Sequence, residues 1–434
     1  MKSRASKLIG IIVVVVIAIV LVRLLNNADG GVVSLGKPCT TAGEIVEVQE
    51  LAFECQEIES VLIWQEYSER NEEVAAPSFS TDPSITSVSM LASVDECRIS
   101  NSTKQLNNPG EASNGSGFPR SPDLPPSTRD LQVLVVPVSF TGFEFDESTY
   151  NSVKDAYVKV AELFSSVSYG RATVQATFST EEDWIYLDGS LSDFGLGNRD
   201  NSDVFVRKIL NQFLETHSAD GYDVIEFITK NDSPMYNLQI NTALNAGNSR
   251  YGTQLPISAV LNAGIVGRYR IHAHELGHAW LGFDDLYDTG TSEKYLGGWD
   301  LMDGAGGISE LSSWLRWLPG WIEDTQVRCI TEPGETRHFV SPLNFSSSQP
   351  KMVVVKLSEV SALVVELRVP TKFDFNKESV VVYVVDTRYL SGNGPIRLRG
   401  VLEAEGESLS TDGLVISLEK FDPAGALLSV VNSN

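Results

Sequence analysis

Positive charge is scarce in this chain of 434 residues. It carries 33 lysines and arginines against 57 aspartates and glutamates, which gives a formal net charge of -24. So acidic a surface repels nucleic acid and anionic lipid, and this argues against a DNA-binding or membrane-surface role. We therefore expect no nucleic-acid partner.

The one long apolar run lies at the N-terminus. Leu8 to Val22 is uncharged, and Arg23 to Leu25 extend it to about the minimum length that spans a bilayer. Three basic residues precede it, so we predict a signal anchor over 1–25 that leaves the rest of a single-pass membrane protein outside the cell. A cleaved signal peptide is the alternative and would make the protein secreted, but no clear small-x-small cleavage site follows the run.

Cysteine is also rare. The four cysteines, Cys39, Cys55, Cys97 and Cys329, are spaced too widely for a compact four-cysteine zinc ribbon. An even number in an exported protein predicts two disulfides, with three possible connectivities.

The pattern of residues divides the rest of the chain into four parts. Residues 26–70 carry short β-prone runs and two cysteines, which predicts a small cysteine-paired module, with two cysteines in a loop as the alternative. Residues 71–114 are rich in Ser, Pro, Thr, Asn and Gly, as in linkers. Residues 115–330 alternate strand and helix patterns, and 331–434 contain short β-rich runs between turn-formers. The predicted fold class is α+β, an α/β domain followed by an all-β, sandwich-like domain.

Four segments carry the α/β prediction. The β-branched runs at 131–140 and 222–229 predict buried strands. Tyr150 to Ser165 and residues 203–217 have the apolar spacing of amphipathic helices.

The chain has only five histidines, yet three of them fall in "HAHELGHAWLGFDDLYD", residues 272–288. The core of this stretch is H-E-x-x-H: His274, Glu275 and His278. Histidines four apart lie on one face of a helix and can bind one metal ion, and the adjacent glutamate can take a proton from an attacking water. His272 lies two residues before His274 and faces elsewhere, which predicts a structural role.

A third protein ligand is expected directly after the helix. Gly282 supplies a left-handed stop that turns the chain back, and Asp284, Asp285 and Asp288 follow it. Catalytic zinc takes three protein ligands and leaves one position open, so an acid after the turn would complete the set.

The stretch "HELGHAWLGFDDLYD", followed by "GGWDLMDG" (297–304) and "SSWLRWLPGWI" (312–322), resembles the immune inhibitor A-like family of secreted bacterial metallopeptidases. The resemblance implies a zincin-like peptidase domain that hydrolyses protein or peptide substrates. It implies His274, His278 and Asp285 as zinc ligands and Glu275 as the general base. It also implies that Met302 forms a turn below the metal.

The chain departs from that family at one point. Three residues separate His278 from Gly282, where the family usually has two. Counting from His274 selects Asp284 as the third ligand, whereas matching the "DLYD" run selects Asp285. We favour Asp285, because the extra residue can be absorbed before the glycine turn.

Other roles are open at the level of sequence. Tyr287 and Tyr295 are candidates for stabilising the oxyanion, by proximity in sequence. Calcium is a second candidate cofactor, with Asp288, Asp300 and Asp303 as its ligands, although the regular twelve-residue calcium loop is absent. We also hypothesise that Cys97 and Cys329 form a disulfide between the start and the end of the peptidase domain.

Two alternatives to an endopeptidase remain. The chain could be a catalytically idle surface binding protein on a peptidase scaffold. It could also be a zinc enzyme that cleaves something other than peptides, because H-E-x-x-H determines the metal chemistry better than the substrate.

Overall fold

The computed structural model forms two compact units. One contains Met1–Glu72 with Pro370–Lys377, and the other contains Glu73–Val369 with Glu378–Asn434. The backbone is described for residues 45–48, 51–58, 61–66, 77–107, 114–142, 144–189, 191–194, 202–230, 241–244, 255–262, 266–304, 309–374 and 376–433.

The smaller unit contains a three-stranded antiparallel sheet. Its strands are β1 (Ile45–Val48), β2 (Leu51–Ile58) and β3 (Val61–Glu66), in that order. Strands are therefore present in the predicted module over 26–70. Cys39 and the side chain of Cys55 lie outside the described residues, so their pairing stays a prediction.

The larger unit begins with short helical turns. The described residues 94–107 and 114–118, here called the N-terminal strap, contain α1 (Thr103–Asn107), and Ile99, Gln105 and Ser116 among them are buried. Among its described residues, the 3-10 helices of the unit are Ser78–Thr81, Val88–Met90, Val94–Cys97, Glu181–Asp183, Leu191–Phe194 and Asp324–Gln326.

A disulfide joins the start of the strap to a distant part of the unit. Cys97 and Cys329 are bonded across a sequence separation of 232 residues, and both are buried. The hypothesis of a Cys97–Cys329 bond is confirmed.

A six-stranded, mostly parallel sheet forms the centre of the α/β layer. Its strands are β4 (Leu131–Phe140), β5 (Val174–Phe178), β6 (Ile185–Leu187), β7 (Val224–Ile228), β8 (Asn241–Leu244) and β9 (Ser258–Asn262). The order is β5-β4-β7-β9-β8, with β6 also paired to β4. Only β8 runs antiparallel to its neighbour among these described strands.

Two helices flank this sheet, as the sequence predicts. The helix α2 (Glu147–Val167) begins at Asp146, whose carboxylate accepts the Thr149 N–H at 2.7 Å and so caps the first turn. The helix α3 (Ser202–Leu214) packs its apolar face, including Ile209 and Phe213, into the core formed by the central strands. Burial of each such side chain contributes about 1.5–3 kcal/mol to the free energy of folding.

The helix that carries the histidine motif follows β9. All eight residues of α4 (Tyr269–Leu276) are buried, and the chain continues as one π-helical turn, Gly277–Leu281. The short helix α5 (Ser313–Trp317) follows later in the chain. The motif thus lies in the interior of the unit rather than on a solvated helix face.

Two further sheets pack together in the C-terminal part. The first sheet has the strand order β10-β12-β13-β14-β15. Its strands are β10 (Val327–Ile330), β12 (Met352–Ser358), β13 (Ser361–Arg368), β14 (Ser379–Asp386) and β15 (Ile396–Leu402). The second, in the order β11-β18-β17-β16, contains β11 (Gly334–Val340), β18 (Gly425–Asn432), β17 (Leu414–Asp422) and β16 (Ser408–Thr411). Val353 and Val382 of the first sheet share one core with Ile416 and Leu428 of the second. The predicted fold class, an α/β layer followed by packed β-sheets, is confirmed.

No helix within the described ranges is both long and apolar enough to cross a membrane. The predicted signal anchor, residues 1–25, lies outside those ranges.

Removal of the Cys97–Cys329 disulfide should destabilise the larger unit strongly. The bond closes a loop of 232 residues, and its loss restores conformational freedom to the unfolded chain. We expect the Cys97→Ser/Cys329→Ser double variant to lose about 2–5 kcal/mol of unfolding free energy in a chemical denaturation measurement. The wild-type protein with this bond reduced should lose a similar amount, and a double variant with the unfolding free energy of the oxidised wild type would contradict the contribution of the long loop.

Candidate metal centre

Two histidines of the helical motif point their ring nitrogens at each other. His274 lies in the last turn of α4 and His278 in the π-helical turn that follows. Their Nε2 atoms are 3.2 Å apart, and both side chains are buried. The spacing of four residues therefore brings one nitrogen of each ring to the same place, as expected for two ligands of one metal ion.

The wide π turn accommodates the additional residue between His278 and Gly282. Within it the Gly282 N–H donates to the carbonyl of His278 at 3.0 Å, and the Phe283 N–H reaches the carbonyl of Gly277 at 3.2 Å. Gly282 then adopts a left-handed φ of 72°, which reverses the chain. The turn is wider than a regular α-helical turn, so one residue more fits between the histidine and the glycine.

The two adjacent aspartates after the glycine diverge. The Oδ1 atom of Asp285 lies 3.1 Å from Nε2 of His274 and 3.3 Å from Nε2 of His278. Asp284 is fully buried elsewhere, where its carboxylate accepts hydrogen bonds from Ser116 Oγ at 2.6 Å and Gln105 Nε2 at 3.4 Å. The carboxylate of Asp285 therefore lies beside the two histidines, whereas that of Asp284 is hydrogen-bonded to the N-terminal strap.

Backbone carbonyls orient both imidazole rings. His274 Nδ1 lies 3.1 Å from the carbonyl of Leu301, and His278 Nδ1 lies 2.6 Å from that of Phe283. A carbonyl only accepts, so each Nδ1 carries a hydrogen and donates it. In the neutral ring this leaves the lone pair on Nε2, the nitrogen that faces Asp285.

His274, His278 and Asp285 form a group that could hold a metal ion, with ligand atoms all within 4.8 Å of one another. Burial disfavours the charged form of His278, but the Asp285 carboxylate outweighs it and raises the pKa of His278 to about 9. Burial would likewise raise the pKa of Asp285, yet His278 and His274 hold it well below its usual range. The carboxylate is thus kept anionic beside two nitrogen donors.

Glu275 lies beside this group and is only 5% exposed. Burial raises the pKa of its carboxyl, while His274 and His278 oppose that change. A carboxylate with a raised pKa is a stronger base, which suits a residue that must accept a proton.

His272 belongs to a separate buried network, in agreement with its predicted structural role. Its Nδ1 contacts Glu226 Oε1 at 2.6 Å, and its Nε2 contacts the carbonyl of Val266 at 2.6 Å. Both ring nitrogens face acceptors, so the ring is an imidazolium paired with the Glu226 carboxylate. Tyr157 and Asn262 complete the network by donating to Glu226.

Sequence reasoning did not identify Glu226. It lies in the centre of β7, fully buried, and this network attaches α4 to the parallel sheet. The signal in the sequence was one charged residue within an otherwise apolar strand. Because an unpaired buried carboxylate is very costly, such a residue indicates a buried partner elsewhere in the chain.

Met302 packs directly below the histidine-bearing turn. A Cβ atom placed on Gly277 would lie 2.7 Å from the Met302 sulfur, so any larger residue there would displace the methionine side chain. The turn that holds Met302 is itself stabilised by Asp300, whose carboxylate accepts the N–H groups of Met302 at 2.7 Å and Ser312 at 2.6 Å. Burial raises the pKa of Asp300 to about 6, against these two hydrogen bonds.

The two tyrosine candidates lie in different surroundings. The ring of Tyr287 is 6.2 Å from that of His274, centroid to centroid. The hydroxyl of Tyr295 donates to Asp288 Oδ2 at 3.1 Å, and its ring stacks under the Arg397 guanidinium. Of the two, Tyr287 is in contact with the histidine group.

The acids considered for calcium do not converge among the residues described. Asp288 Oδ1 accepts the N–H groups of Gly290 and Thr291, each at 2.8 Å, in a local turn. Asp303 accepts the Gly298 N–H at 2.7 Å. Asp288, Asp300 and Asp303 do not form a metal-binding group of three in this part of the chain, and calcium stays an untested prediction.

Comparison with known proteins finds distant likenesses among solved structures. No protein-family model matches the chain, and no curated protein matches it. Among solved structures, the chain is similar to metalloproteinase-II from Bacteroides fragilis, with a TM-score of 0.29, 13% sequence identity, and coverage of 64% of this chain and 78% of that one. At this TM-score the likeness supports no conclusion about fold or activity.

The space around Gly282 gives a test of the chain reversal. A Cβ atom there would lie 2.6 Å from Asn114 Nδ2 and 2.7 Å from Leu124 Cδ1, whereas one on Gly320, also left-handed at φ +81°, meets nothing within 4 Å. We expect Gly320→Ala to lower the free energy of unfolding by about 1–2 kcal/mol, the cost of the left-handed backbone alone. Gly282→Ala adds the steric overlap and should lose about 2–5 kcal/mol.

Urea unfolding of both variants measures this difference. Equal losses would show that the strap moves aside without cost, and that the close approach at Gly282 is unimportant for stability.

Proposed function

We propose that His274, His278 and Asp285 bind a catalytic zinc ion. The observation that carries the proposal is the triangle of donor atoms, with sides of 3.1, 3.2 and 3.3 Å. Tetrahedral zinc with bonds of about 2.0–2.1 Å separates its ligand atoms by about 3.3–3.4 Å. The donor atoms therefore lie close to the positions that zinc requires, and their chemistry, two imidazoles and one carboxylate, suits it.

A pair of neutral helix histidines explains the geometry less well. Because Nδ1 of His274 and of His278 each donates to a carbonyl, the neutral rings would direct two lone pairs at each other across 3.2 Å. Only a cation between them, a proton or a metal ion, relieves that repulsion. We favour a metal ion over a proton, because main-chain carbonyls orient both rings and the Asp285 carboxylate supplies a third donor atom.

The reaction we propose is hydrolysis of peptide bonds. Bound zinc would polarise the scissile carbonyl and lower the pKa of the attacking water. Glu275 accepts the proton of that water and passes it to the leaving amine. The main-chain carbonyls of Leu301 and Phe283 hold the two histidine rings in place throughout.

The protein or peptide substrate follows from the resemblance to the immune inhibitor A-like family of secreted metallopeptidases, which is part of this proposal. Location outside the cell, on a signal anchor or after secretion, is proposed from the N-terminal sequence. The Cys97–Cys329 disulfide supports it, since such bonds persist in oxidising compartments.

Replacement of Glu275 tests the chemical step. Glu275→Gln keeps the size of the side chain but removes the base, so kcat/KM for an unstructured peptide substrate should fall by about 10²–10⁴-fold. The zinc content should stay at one per chain by elemental analysis.

Glu181→Gln, at an exposed carboxylate, is the matched control and should retain full activity. Near-normal peptidase activity in Glu275→Gln would contradict the assigned base. A wild-type protein that binds zinc yet cleaves no peptide would favour the binding-protein alternative or a zinc enzyme that cleaves another substrate.

The adjacent aspartates provide a second test. Asp285→Asn removes the charge of the proposed ligand and should weaken zinc binding by more than about 100-fold, beyond the effect of losing an outer partner. Asp284→Asn changes a carboxylate bonded to Ser116 and should leave the zinc Kd within about tenfold of wild type. Competition with a chromophoric chelator measures both constants, and the reverse order of effects would transfer the ligand role to Asp284.

A further inference from the structure

A loop of the C-terminal sheets contacts the proposed third zinc ligand. Residues 387–395 connect β14 to β15, and they are called the β14–β15 loop below. The Asp285 N–H donates to Ser391 Oγ at 2.8 Å, and the Gly392 N–H donates to the Asp285 carbonyl at 2.9 Å. Both backbone polar groups of Asp285 are therefore bonded to this loop.

The loop is itself held firmly against the peptide chain that follows Asp285. Thr289 donates its N–H to the carbonyl of Gly392 at 3.3 Å, and Asp288 and Asn393 form a β-bridge. Gly392 has a φ of +73°, and a Cβ atom there would lie 2.7 Å from the Thr289 side chain. The loop thus fits closely over residues 285–289 and can fix the backbone of Asp285.

The strap holds the preceding residue from another direction. Asp284 is bonded through its carboxylate to Ser116 and Gln105, so the two neighbouring acids are attached to different segments. With Asp284 anchored and the backbone of Asp285 bonded on both sides, the main chain of Asp285 is fixed in a position from which its carboxylate reaches His274 and His278.

We propose that Ser391 is a positioning residue of the metal centre, and that the β14–β15 loop holds Asp285 in the geometry that binds zinc. The inference rests on the proposed function. Ser391 does not touch the donor triangle. It acts through the main chain of Asp285, as outer partners of metal ligands do when they orient a ligand before the metal arrives.

The test compares zinc binding in three serine variants. Ser391→Ala removes the acceptor of the Asp285 N–H and should weaken zinc binding by about 10–100-fold, the usual effect of losing an outer partner. Ser391→Thr keeps a hydroxyl and should restore binding to within a few-fold of wild type. Ser127→Ala is the matched control, because Ser127 Oγ also bonds a distant backbone group, the Pro319 carbonyl at 2.8 Å, but does not contact Asp285.

Binding is measured by competition with a chromophoric chelator, and the ligand geometry by the visible absorption of the cobalt-substituted protein. We expect a changed cobalt spectrum for Ser391→Ala only, with thermal unfolding of the metal-free protein close to that of Ser127→Ala. If Ser391→Ala binds zinc with the wild-type Kd and cobalt spectrum, the positioning role is wrong and the proposed function stands. If the wild-type protein itself binds no zinc, both are wrong.

Discussion

The chain reversal at Gly282 is the constraint on which the candidate centre depends. Two donors lie on a helix and the third must come from the chain after it, so the backbone has to turn back within a few residues. The π turn, the left-handed glycine and the contact of Asn114 with that glycine make this reversal possible. Gly277 allows the same turn to rest on Met302. The π turn and the two glycines cost local stability, and the buried packing around the turn offsets that cost.

The position of α4 depends on charge as well as on apolar packing. Glu226 and His272 are both fully buried and ion-paired, and Tyr157 and Asn262 satisfy the carboxylate further. Such a pair adds little net stability compared with apolar residues, but removal of one partner costs about 3–5 kcal/mol, because the other charge is left buried alone. The network therefore favours one orientation of α4 on the sheet, and with it one placement of His274 and His278.

Local patterns in the sequence predicted much of this fold. The apolar run at 131–140 is β4, the periodic segment around Tyr150 to Ser165 is α2, and the histidine spacing placed two Nε2 atoms together. Local patterns could not predict the roles of residues whose partners lie far away in the sequence. Asp284 and Asp285 are chemically identical neighbours, and what separates them is Ser116, 168 residues away, and Ser391, 106 residues away. Glu226 is likewise 46 residues from His272, and no local periodicity pairs them.

The same long separations explain why the candidate centre and the C-terminal sheets belong to one compact unit. The α/β layer supplies the imidazoles, the strap holds Asp284, and the β14–β15 loop holds the backbone of Asp285. The Cys97–Cys329 bond attaches the strap to β10, which pairs with β12 of the first C-terminal sheet. A disturbance in these segments would move the donor atoms, and the proposed zinc site would be sensitive to such a change because zinc bonds are short and directional. If the proposal holds, zinc affinity should therefore report on the folding of the whole unit, including segments that contribute no ligand.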